Sequence, residues 1–313
     1  MSTAVRIGAY GAGLAVVFAA AYGVGGAVGE IGPAPSETSH TTHAAPGQTP
    51  AAQTASDTPG GLQVSAHGYT LDLETDRTKA GQDGTLRFTI RDAQGEPVTA
   101  YRTVHDKELH LIVADRDLTV FRHLHPVRDA EGVWTTPVDL PRAGSHRVFA
   151  DFTPEGAAAL TLGADLAVAG QYEPAALPEP STAVTVDGYT VSLRGDVPVG
   201  ASGTLTFTVS RDGAPVAGLE PYLGSYGHLV ALRAGDLAYL HVHPTSEADE
   251  SVSDSPEVAF AVSAPSAGAY RLFLDFKIDG VVRTAAFTVH AGAVGNGPVP
   301  LPSESDEHGD HSH

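Results

Sequence analysis

One stretch of this chain occurs twice, and any fold must accommodate both copies. Residues 110–126 read HLIVADRDLTVFRHLHP and residues 228–244 read HLVALRAGDLAYLHVHP. In each, a lone His is followed 13 residues later by a His-x-His pair. An aromatic stands two positions before each pair (Phe121, Tyr239) and a proline directly after it (Pro126, Pro244). The likeness extends outward. Gly68-Tyr-Thr-Leu-Asp-Leu is answered by Gly188-Tyr-Thr-Val-Ser-Leu, Gly84-Thr-Leu-Arg-Phe-Thr-Ile by Gly203-Thr-Leu-Thr-Phe-Thr-Val, and Gly95-Glu-Pro-Val by Gly213-Ala-Pro-Val. A chain of 313 residues has room for two domains, so the repeat reads as one domain used twice.

Periodicity gives the domain its class. Short alternating or apolar runs, punctuated by Gly and Pro, recur about every ten residues, and long amphipathic helical patterns are absent. About seven strands in some 110 residues predict an antiparallel immunoglobulin-like β-sandwich in each repeat. Within the repeated stretch, Leu111-Ile-Val and Phe121-Arg-His-Leu-His are strand-like and the Asp115-Arg-Asp segment between them is turn material, so a hairpin is expected. The second copy has the same plan.

The hairpin suggests chemistry. Alternation puts His123 with His125, and His241 with His243, on one face of their strand. His110 or His228 can meet them from the neighbouring strand if the register allows. Converging imidazoles suit a transition metal. Downstream, His146-Arg-Val-Phe-Ala-Asp151 matches Tyr270-Arg-Leu-Phe-Leu-Asp275, each after an Ala-Gly turn. A carboxylate among strand apolars is costly to bury unless it is paired or ligates something. Asp151 and Asp275 therefore join the candidates, as fourth ligands or as acceptors that orient an imidazole. The expected metal residues are His110, His123, His125 and Asp151 in one copy, and His228, His241, His243 and Asp275 in the other. Two points stay open: whether each repeat has its own site or the two share one, and whether the imidazoles form only a hydrogen-bonded corner without metal.

Composition narrows the ion. There is no Cys, and Met1 is the one methionine, so the soft ligands that select Cu(I) are missing. Imidazole and carboxylate point to a divalent ion, with Cu(II) favoured over Zn(II) or Ni(II) by the usual affinity order. A formal net charge of −19 disfavours nucleic acid as a partner. No nucleophile elbow, P-loop or dinucleotide fingerprint is present, and no enzymatic activity is expected.

The chain divides as follows. Residues 1–30 hold an uncharged run from Ile7 to Gly29, roughly 34 Å long as a helix and so sufficient for a bilayer core. It is expected to anchor the protein in the cell membrane with the domains outside the cytoplasm; a cleaved signal peptide, giving a secreted protein, is the rival. Residues 31–61 form a Pro/Ala/Thr-rich disordered linker. Repeat 1 spans 62–172, a linker 173–180, and repeat 2 181–290, its length increased by an acidic loop from Glu247 to Glu257. Residues 291–313 are a disordered tail whose His308, His311 and His313 bind divalent ions loosely.

The wording of the His hairpin, from Glu108-Leu-His-Leu-Ile-Val to His-Leu-His-Pro, resembles secreted or membrane-tethered actinobacterial proteins grouped with YtkA-like domains. In plan it is similar to immunoglobulin-like periplasmic copper-resistance domains. The resemblance implies an extracytoplasmic β-sandwich for heavy-metal handling or resistance, partnered by a metal transporter or chaperone. Two rivals accompany it. Gly235, His241, His243 and Glu247 fit the first motif of a cupin, which would make a tandem metal-dependent enzyme; the first copy, with Asp117 and Asp129 at the corresponding places, does not. The third reading is an adhesion or scaffold module without metal.

Overall fold

The computed structural model describes residues 58–240, 242–248 and 253–292. The expected membrane segment, most of the N-terminal linker, His241, residues 249–252 and the His/Asp tail lie outside the described residues. Among the described residues, no helix is long and apolar enough to cross a membrane, and the regular structure is strand.

The first repeat contributes β1 (Ser65–Ala66), β2 (Tyr69–Leu73), β3 (Arg77–Lys79), β4 (Asp83–Arg91), β5 (Leu109–Asp115), β6 (Phe121–Leu124), β7 (Val127–Arg128), β8 (Val133–Asp139), β9 (Gly144–Phe152) and β10 (Leu160–Ala169). The second contributes β11 (Ala183–Val186), β12 (Tyr189–Arg194), β13 (Gly203–Arg211), β14 (Ala214–Pro215), β15 (His228–Arg233), β16 (Tyr239–Leu240), β17 (His243–Pro244), β18 (Glu257–Val262), β19 (Gly268–Ile278) and β20 (Val281–Ala291).

Each repeat is a two-sheet sandwich. In the first, the order β1-β2-β4-β8-β7 faces β3-β10-β9-β5-β6; in the second, β11-β12-β13-β18-β17 faces β16-β15-β19-β20. These are the ABED and GFC orders of an immunoglobulin sandwich, as the repeated strand pattern predicts. The pairing is not antiparallel throughout: β3 runs parallel to β10, with Thr78 opposite Val168. The strand orders among the described residues are not those of a jelly roll, which counts against the cupin rival.

Alternation fills each interior. Leu86, Phe88 and Ile90 of β4 meet Leu109, Leu111 and Val113 of β5 and Val148, Ala150 and Phe152 of β9 in the first core. Leu205, Phe207 and Val209 meet Leu229, Ala231, Leu272 and Leu274 in the second. The opposite faces of β5, β9, β15 and β19 are also covered. Ile112, Ala114 and Phe149 of repeat 1 pack with Val230, Leu232, Tyr239 and Phe273 of repeat 2 in a third apolar cluster. Phe121 stacks on Phe273 with ring centres 4.1 Å apart and planes 7° from parallel. All seven residues of β5 are therefore buried. A strand covered on both faces reads as a near-continuous apolar run, and Leu-His-Leu-Ile-Val-Ala is one. The sandwiches thus join through the sheets that carry the His hairpins.

Two connecting segments reinforce the junction. The end of the expected disordered linker is ordered: Gly60 O accepts from Tyr239 N of repeat 2 at 2.9 Å, and Gly61 N donates to Thr161 O of repeat 1 at 2.9 Å. Arg147 Nε donates to Gly61 O at 2.7 Å. Residue 163 must be glycine here, since a Cβ would fall 2.0 Å from Gly61 O. In the linker between repeats, Ala175 N donates to Asp117 Oδ2 at 2.9 Å and Leu177 packs on the shared cluster.

Candidate metal centre between the repeats

The same alternation that sends Ile112 and Ala114 into the junction sends His110 there, and in β15 it sends His228 beside Val230. The hairpin register sets Ile112 opposite His123, which places His123 on that face too. One ring nitrogen from each of His110, His123 and His228 lies within 4.8 Å of the others. The stacked rings of His110 and His228, 5.3 Å apart and 13° from parallel, come from different repeats. His123 and His228 are 4.7 Å apart. Among the described residues, these three imidazoles form one cluster drawn from both repeats.

The outer nitrogens of two rings are occupied. His110 Nε2 lies 3.1 Å from the Val104 carbonyl, and His123 Nδ1 lies 2.8 Å from Asp275 Oδ2. A carbonyl and a carboxylate only accept, so each of these ring nitrogens donates. The inner nitrogens, His110 Nδ1 and His123 Nε2, then face each other at 3.1 Å. With both rings neutral, two lone pairs would meet. The contact requires a cation between them: a proton, making one ring imidazolium, or a metal ion. Ligands of a tetrahedral ion with bonds near 2.0–2.1 Å are spaced about 3.3 Å apart, so the gap also fits an ion. Outer nitrogens held by carbonyl and carboxylate are the usual arrangement around imidazole ligands.

Burial favours neutral imidazoles. It pulls His110 down to about 4, with the neighbouring His123 adding to the effect. It pushes His228 well below the ordinary range in the same way. His125 lies against the cluster, its ring 4.8 Å from His123 and 5.3 Å from His110, and burial takes it to about 3. Its buried Nε2 has no hydrogen-bond partner among the described residues. An orphaned buried acceptor or donor costs about 1–3 kcal/mol, so this nitrogen also calls for a partner.

The expected residues therefore divide. His110, His123 and His228 converge, His125 adjoins them, and Asp275 orients His123 rather than joining the group. Asp275 Oδ1 accepts from Thr284 Oγ1 at 2.5 Å, so both its oxygens are engaged. Asp151, opposite His110 in the β5–β9 register, accepts from Thr161 Oγ1 at 2.9 Å and from the Tyr239 hydroxyl. It is not a member of the convergent group. His243 departs as well: β17 pairs with β18 in the other sheet, and His243 is exposed there. His146, the extra histidine, is buried on the interior face of β9, next to Val148.

Two neighbours were not anticipated. The ring of His105 lies 5.7 Å from His228 and 6.2 Å from His110. Its place in the second copy is taken by Leu223, so comparing the repeats passes over it. Tyr222 stands 6.4 Å from His125, and burial raises its phenol, helped by the charge of Asp275. Both residues lie just upstream of a repeated His, where nothing recurs to draw attention.

No curated protein matches the chain. Among solved structures, it is similar to the Escherichia coli adhesin FdeC at 17% identity and a TM-score of 0.24, over 73% of this chain and 65% of that one. Invasin, a bacterial integrin-binding protein, matches at 14% identity and 0.22, over 71% of this chain and 39% of its own. Domains 4 and 5 of the S-layer protein SbsC match at 14% and 0.22, over 74% of this chain and all of theirs. The chain spans less than two thirds of FdeC and of invasin, and likeness at these levels concerns architecture alone. The model of the family described as "Domain of unknown function (DUF8832)" matches residues 63–168 and again 184–293, one copy per sandwich, and the chain belongs to that family.

Proposed function

We propose that this protein binds one divalent transition-metal ion per chain between its two β-sandwiches, through His110, His123 and His228, for metal handling outside the cytoplasm. The observation that carries this reading is the 3.1 Å approach of His110 Nδ1 to His123 Nε2 while both outer nitrogens face acceptors. Burial holds His110 and His228 toward the neutral state that a metal requires. His125 is the nearest candidate for a fourth ligand. With nitrogen donors and no thiolate, Cu(II) is the preferred ion, ahead of Zn(II) and Ni(II). The uncharged segment in residues 1–30 would tether the domains to the membrane, and a transporter or chaperone would exchange the ion.

A second reading rests on the same contact. A proton shared between His110 and His123, with Asp275 holding the outer nitrogen of His123, gives a metal-free network that fastens two adhesion or scaffold modules together. The experiment is metal analysis of the full chain, with His308, His311 and His313 replaced by Ser to remove the tail, beside the same protein carrying His110→Ala and His228→Ala. One Cu(II) or Zn(II) retained by the first and none by the second supports the metal reading. Equal content in the two leaves the network.

A further inference from the structure

Two tight turns, one from each repeat, meet beside the His cluster. Val104 and Lys107 close the first with paired backbone hydrogen bonds of 2.9 and 3.2 Å, and Tyr222 and Ser225 close the second at 2.7 and 3.3 Å. Their central residues all have positive φ: 49° and 62° at His105 and Asp106, 57° and 74° at Leu223 and Gly224. Both are therefore type I′ turns, which normally call for Gly, Asn or Asp at the first central place. A Cβ on Gly224 would come within 3.9 Å of His105 Cα, so the turns abut. The first turn is also tied to a ligand, because the Val104 carbonyl accepts from His110 Nε2 at 3.1 Å.

His105 is half-buried, beside the exposed carboxylate residue Asp106, and its ring reaches both His110 and His228. It is absent from the set whose nitrogens converge within 4.8 Å. An imidazole at the edge of a buried site, touching two of three ligands without joining them, is placed to hold an ion in passage. Nothing in the second copy duplicates it, so the path would enter from the repeat 1 turn.

Building on the metal reading above, we propose that His105 is the transfer ligand of this site: it takes a divalent cation from solvent and passes it to His110 and His228, then lets go. The path runs between the two turns. A permanent ligand would change how much metal is held; a transfer ligand changes how fast it arrives and leaves.

The test uses the full chain with the three tail histidines replaced by Ser, and Zn(II) supplied as its coloured complex with 4-(2-pyridylazo)resorcinol. His105→Asn keeps a residue that tolerates positive φ while removing the imidazole. His105→Leu installs the residue that the second copy carries in the same turn conformation. Both variants should reach the parent metal content but load at least tenfold more slowly, with release to EDTA slowed by a similar factor. Loading at the parent rate by a variant whose thermal melt matches the parent would overturn the transfer role. Loss of the ion at equilibrium would overturn it too, making His105 a resident ligand. If the parent itself takes up no more Zn(II) than its His110→Ala/His228→Ala form, the metal reading fails, and this proposal with it.

Discussion

His123 and Asp275 lie 152 residues apart in sequence and belong to different sandwiches, yet Nδ1 of one and Oδ2 of the other are 2.8 Å apart with both side chains 3% exposed. This pair couples the candidate site to the junction between the repeats. Replacing Asp275 by Asn keeps the shape and removes the charge. On the metal reading, affinity should fall about 10- to 100-fold, the usual effect of altering a group that orients an imidazole ligand. Isothermal titration with Cu(II) or Zn(II) checks it, and unchanged affinity would mean that the pair serves structure alone.

Binding should also appear as stability. At an ion concentration a hundred times Kd, linkage adds about 2.7 kcal/mol to the folded state. The melting temperature of the tail-substituted chain should rise on adding the ion, and His228→Ala should not respond. A response retained in that variant would locate binding elsewhere.

The stacked pair of Phe121 and Phe273 predicts how the halves depend on each other. Phe121→Ala removes the stack and leaves a cavity in the shared cluster, at a cost of about 2–3 kcal/mol. The loss falls on the junction rather than on either interior. Urea unfolding should therefore broaden or separate into two transitions while the far-ultraviolet circular dichroism of the native state stays the same.

Gly163 predicts the role of the ordered linker end. An alanine there would drive its Cβ into Gly61 O, at 2.0 Å, and crowd Arg147 Nε at 2.8 Å. Such overpacking costs typically about 1–3 kcal/mol unless the ordered linker end gives way. Gly163→Ala should release residues 58–61, seen as faster proteolysis just before Leu62, with the sandwiches left intact.

Acid sensitivity follows from His146, buried on the interior face and held below the ordinary imidazole range chiefly by burial, with smaller contributions from Arg122 and Arg142. The Gly144 carbonyl and Asp115 oppose the shift. With the folded value depressed, both states are neutral above about pH 6.5; below it the unfolded chain takes the proton first. Stability is therefore whole above about 6.5 and is lost as pH falls toward the folded value. His146→Leu should make that loss shallower in urea titrations between pH 7 and 4.5, while an identical slope would remove His146 from the account.

Much of the architecture was legible because β periodicity and the internal repeat are local signals. The strand pattern yields the sandwich and makes the Leu-His-Leu-Ile-Val-Ala run of β5 a hairpin strand, whereas its burial on both faces appears only in the structure. What that second face met was not readable. His110 and His228 are candidates from their spacing, but sequence distance says nothing of a junction between domains, so whether they share a site stays open there. Asp151 and Asp275 stand out in the sequence as carboxylates among strand apolars, but their acceptor roles toward Tyr239 and His123 depend on contacts across that junction. His243 left the cluster because β17 joins the other sheet, a switch that the His-x-His spacing does not encode.

The two-sided character of β5 and β15 has a consequence for how such a protein can arise and change. A single sandwich cut from this molecule would present Ile112, Phe121 and Phe149, or Val230, Leu232 and Phe273, as bare apolar ground, with His110 and His123, or His228, stranded on it. Two identical copies could shield that ground by pairing around a twofold axis, so a self-associating ancestor with one sandwich already has the essentials. A fused pair leaves each side free to specialise, as His105 in one turn and Leu223 at the equivalent place in the other illustrate.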